Sequence, residues 1–75
     1  MSTETAQDSR AKMLADWQKA LEDKEALLKA PEAYTQQMIE QAAEAFTARV
    51  INWEDLRELK EWADGAYSWA VEEQL

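Results

Sequence analysis

Val50-Ile51-Asn52-Trp53-Glu54-Asp55-Leu56 is the stretch on which a reading of the fold turns. Asn52 is a favourable N-cap, because its short side-chain oxygen can accept from a first-turn N–H that has no partner inside the helix. Glu54 and Asp55 bring negative charge to the positive end of the helix dipole. Ile51 stands where a hydrophobic staple would meet Leu56. A helix is therefore predicted from Trp53 to about Glu73, with Leu56, Leu59, Ala63, Ala66, Tyr67 and Ala70 on its inward stripe.

Upstream, the apolar positions keep a helical period. From Pro31 to about Arg49, Tyr34, Met38, Ile39, Ala42, Ala45 and Phe46 gather on one side, and Gln36, Gln37, Glu40, Gln41 and Glu44 on the other. Pro31 suits the first position of that helix and disfavours helix at Ala30. A first helix then runs from about Arg10, behind a Ser9 cap, to Lys29, with Met13, Leu14, Trp17, Leu21 and Leu28 inward. No Gly marks a stop near Ala30, so a helical hairpin and one Pro-kinked helix both remain open. The expected fold is all-α: a three-helix bundle, or a hairpin plus a third helix. It comprises one helical domain over 9–75, with helices near 10–29, 31–49 and 53–73, behind a flexible polar arm over 1–8.

The material for a core is thin. Of 75 residues, 14 are Ala, and Leu, Ile, Val and Phe together number only 12, against a net charge of −8. That composition borders on disorder. Four Trp, two Tyr and three Met argue for folding, since each buried aromatic ring removes roughly 150–250 Å² from water. Covering four Trp with so few aliphatic residues favours an oligomer, most simply a two-fold dimer.

The residue inventory excludes more chemistry than it suggests. With no Cys and no His there is no thiol nucleophile, disulfide framework, His-based triad or zinc motif. One Gly cannot build a phosphate-binding loop. Carboxylates four residues apart, such as Glu40 with Glu44 or Glu54 with Glu58, lack the His that helical metal sites commonly add. Neither catalysis nor a metal or cofactor is expected. Direct nucleic-acid binding is disfavoured by the charge. The N-terminus is polar, and no apolar run is long enough to span a bilayer, so no membrane contact and a cytoplasmic location are expected.

Two features invite a functional reading. Lys24 falls inside the apolar stripe between Leu21 and Leu28, where either its stem lines the core edge or its ammonium pairs with a carboxylate. On the last helix, Trp62 and Trp69 stand seven residues apart, about 90–110° from the centre of the inward stripe, with Gly65 between them. Glu58, Glu61 and Glu72 run beside them with Glu54, and residues 51–75 carry seven acids against two bases.

The ridge reads either as a solvated face or as a footprint for a basic partner. The rings read either as wrapping the edge of the core, with Gly65 relieving crowding, or as a seam for another helix. The expected function is a small acidic protein-binding module without catalytic activity, an adaptor, chaperone or inhibitor. Its contacts would be Trp62, Gly65, Trp69, Glu58, Glu61 and Glu72, and its partner another protein, basic if the ridge takes part. Alternatives are a DNA mimic that occupies a nucleic-acid-binding protein, or a self-assembling structural subunit.

Overall fold

The computed structural model describes residues 2–75, with side chains from Asp8 onward. Four helices follow one another: α1 (Ser2–Leu21), α2 (Lys24–Lys29), α3 (Pro31–Thr47) and α4 (Trp53–Glu73), with no strand among the described residues. None of these helices is long and apolar enough to cross a membrane.

α4 forms where the sequence places it. Asn52 accepts from the Asp55 N–H at 2.8 Å and Asp55 returns the bond by accepting from the Asn52 N–H at 3.2 Å, a complete capping box. α3 begins at Pro31, as expected, because Ala30 is extended at φ −151° and ψ 75°. That conformation rules out one kinked helix through Ala30-Pro31. α3 then ends two residues earlier than the expected Arg49. Arg49 takes a left-handed φ of 63°, its N–H bonding Phe46 C=O at 3.0 Å and the Val50 N–H bonding Ala45 C=O at 2.9 Å. This closure normally uses Gly; a residue with a Cβ costs about 1 kcal/mol there.

The first helix departs from expectation at both ends. It is already helical from Ser2, so the expected arm over 1–8 is helical from that residue on and Ser9 is an interior position. It stops at Leu21 because Asp23 caps a new helix, accepting from the Ala26 N–H at 3.2 Å. The break shifts the helical phase. Leu27 turns inward, 2% exposed, whereas an unbroken helix would have put Leu28 on the stripe of Trp17. We call the resulting bend at Glu22-Asp23 the elbow.

α3 and α4 pack against each other most extensively, α2 lies against both, and α1 lies on α3. The core gathers Trp17, Met38, Ala42, Ile51, Leu56, Leu59 and Ala63, with Met13, Leu14, Leu21, Tyr34, Ile39 and Val50 around it. Two expected members of this interior, Phe46 and Tyr67, stay exposed, and Ala66 is half-buried. Thr35 is buried instead, its hydroxyl donating to Pro31 and Glu32 carbonyls on its own helix.

Side chains tie the helices at fixed heights. The Trp17 indole N–H donates to Met38 C=O at 2.8 Å, and the Tyr34 hydroxyl donates to Ala20 C=O at 2.5 Å. Arg10 grips Asp55 with two hydrogen bonds, Nε to Oδ2 at 2.8 Å and Nη2 to Oδ1 at 2.7 Å, so that α1 is fastened to the first turn of α4. At the far end the Gln74 side-chain amide donates to Leu28 C=O. α1 and α4 thus each run antiparallel to α3.

Asp55 makes this fastening pH-dependent. The Arg10 hydrogen bonds hold its carboxyl below the usual carboxylate range; burial opposes them, and the Asn52 N–H and the Arg10 charge add to the lowering. A folded pKa below the unfolded value of about 3.9 means that the stabilisation is complete above that value. It is lost as pH falls through the folded pKa. Urea unfolding of the wild type and of Asp55→Asn should therefore differ by a constant amount from pH 7 to about pH 5 and converge below pH 4; a gap that widens on acidification contradicts this.

Candidate functional site

The six residues singled out by sequence lie on one flank of α4, but they are not equivalent. Glu58, Glu61 and Glu72 are all exposed, and the Arg10–Asp55 pair is the one ion pair among the described residues. Trp62 is 39% exposed, whereas Trp69 is half-buried. Gly65 is helical and faces open space: a Cβ built on it would meet nothing within 4 Å. Gly65 therefore does not relieve crowding, since there is none to relieve.

The opposite wall comes from the elbow, which the sequence reading did not bring to this site. One recess lies between Trp62 and the end of α1, lined by Gln18, Leu21 and Glu22. Its neighbour is lined by Leu21, Glu22, Lys24, Leu27, Ala66 and Trp69. Sharing Leu21 and Glu22, the two form a single groove between α4 and the elbow. Lys24 was the signal for it. Lys24 is exposed and pairs with no carboxylate among the described residues; its ammonium sits 5.2 Å from the centroid of the Trp69 ring. Such a cation–π contact contributes roughly 0.5–1 kcal/mol at an exposed site.

Trp69 therefore belongs partly to the fold. It packs at the edge of the elbow under Lys24, and its removal would loosen α2 as well as alter the groove.

A second aromatic cluster lies at the other end of the molecule. Phe46 and Trp53 meet edge to face, ring centroids 6.0 Å apart at 66°, and are 37% and 60% exposed. No group of three or more metal-ligating side chains comes together among the described residues. Tyr34 has a shifted proton affinity as well. Burial, and then the charge of Asp23, push its hydroxyl up, so it remains a donor to Ala20 C=O.

No protein-family model, no curated protein and no solved structure matches this chain. Geometry and chemistry alone carry the functional reading.

A helical Gly in open space lowers stability by about 1 kcal/mol relative to Ala. With no neighbour for the added methyl to strike, Gly65→Ala should raise the stability measured by urea unfolding by about 0.5–1 kcal/mol. A loss of stability instead would mean that the helix backbone at Gly65 is constrained by a contact the fold already makes.

Proposed function

We propose that this chain is a small, non-catalytic protein-binding module that docks another protein through the Trp62–Gly65–Trp69 flank of α4. The observation that carries the reading is Gly65. It weakens α4 without easing any internal contact, beside an indole that is 39% exposed. That combination is expected where a second chain approaches the helix backbone and a large ring supplies contact area. Glu58, Glu61 and Glu72 then stand at the rim, where charge selects the partner more than it adds affinity.

A second reading concerns copies of the chain itself. We propose that the helices form a small bundle completed by self-association through the Phe46–Trp53 cluster, since Trp53 is the most exposed of the four Trp for which exposure is described. The two surfaces lie on different flanks of α4, which permits both contacts at once.

Cross-linking in the source cell, with the linked proteins identified by mass spectrometry, separates the two. Trp62→Arg should abolish the heterologous cross-link and keep the self cross-link, and Trp53→Arg should do the reverse. A heterologous cross-link that survives Trp62→Arg places the binding surface elsewhere.

A further inference from the structure

The groove has two walls and two recesses, with Glu22 in its lining and further Glu residues on the adjoining flank of α4, and these features together specify an occupant. Its recesses are fronted by Trp62 and Trp69, two helical turns or about 10.5 Å apart along α4. A helix laid along α4 repeats the same spacing on one of its own faces, between residues i and i+7. Leu21 lines both recesses, and Gly65 leaves the α4 backbone open between the two Trp.

Charge decides which helix fits. Glu22 lines both recesses, and Glu58, Glu61 and Glu72 are exposed on the same flank of α4 as the two Trp, on a chain of net charge −8. A second copy docking face to face would set one Glu ridge against another. No helix of α1, α3 or α4 carries a net positive charge that could replace it.

Resting on the protein-binding reading above, we propose that the groove takes a basic amphipathic helix from a different protein. Two apolar side chains at i and i+7 enter the recesses, and Lys or Arg residues flanking them meet these Glu residues. Lys24 works against this occupant. Its ammonium occupies the Trp69 face and opposes the incoming cations, so it sets how basic and how closely seated the partner helix must be.

The test is a fluorescence-anisotropy titration of the full chain with designed peptides of roughly 18 residues, long enough for several helical turns. One peptide carries Leu at i, i+3, i+4 and i+7 with Lys on the remaining faces. Its twins replace Lys by Gln, or scramble the order at constant composition. The Lys peptide should bind at least tenfold more tightly than either twin. Trp62→Ala should weaken it at least tenfold, Glu58→Gln with Glu61→Gln should weaken it several-fold at low salt, and Lys24→Ala should strengthen it.

Equal binding of the Gln twin, lost in Trp62→Ala, overturns the requirement for a basic partner and leaves the protein-binding face intact. Equal binding of the scrambled twin overturns the helical register. Weaker binding by Lys24→Ala overturns the opposing role of Lys24. Should no peptide bind in a Trp62-dependent way, the basic-helix occupant is wrong, and the cross-linking experiment decides the protein-binding reading separately.

Discussion

The seating of Trp17 is the constraint on which the rest of this structure depends. A chain with only 12 Leu, Ile, Val and Phe residues needs one large ring to fill its centre, and Trp17 does so at 2% exposure among Met38, Ala42 and Leu59. An indole N–H buried without a partner would cost about 1–3 kcal/mol. Its bond to Met38 C=O avoids that cost and sets the height of α1 on α3. Once that height is fixed, the end of α1 meets Tyr34 through Ala20 C=O, Arg10 meets Asp55, and Leu21 arrives opposite Trp62 and Ala66. The groove is therefore a consequence of the core.

The four Trp occupy four environments, and this divides the molecule by role. Trp17 is interior and hydrogen-bonded, Trp69 lies at the edge under a Lys, Trp62 borders an open recess and Trp53 stands outside against Phe46. Interior burial earns stability, while the two outer rings keep much of their apolar area in water. The strained Arg49 and the helical Gly65 are two further positions where local preference is overridden. At Arg49 the gain is the tight α3–α4 connection. At Gly65 no internal contact offsets the loss.

What could be read from the sequence was what is local. The Asn52 cap and Pro31 each act within a few residues, and the starts of α4 and α3 follow from them. The elbow is also encoded locally, in Asp23, but an apolar stripe that fits an unbroken helix masks it and points to Leu28 as the inward residue where the structure has Leu27. The Arg10–Asp55 grip joins residues 45 apart and leaves no periodic trace. The same distance in sequence hid the second wall of the groove: Trp62 and Trp69 were visible as a flank of α4, but Leu21 and Glu22 face them only because Trp17 sets α1 at its height. Lys24, the one misfit in the stripe, was the visible sign of that wall.

The central claim, that Trp17 holds the fold whereas Trp62 adds little to it, is tested most directly by urea unfolding followed by far-UV circular dichroism. A chain of this length is stable by about 4–11 kcal/mol. Trp17→Ala should remove about 3–5 kcal/mol of that, and Trp62→Ala about 1 kcal/mol or less. Equal losses for the two variants would place Trp62 in the core and contradict the account.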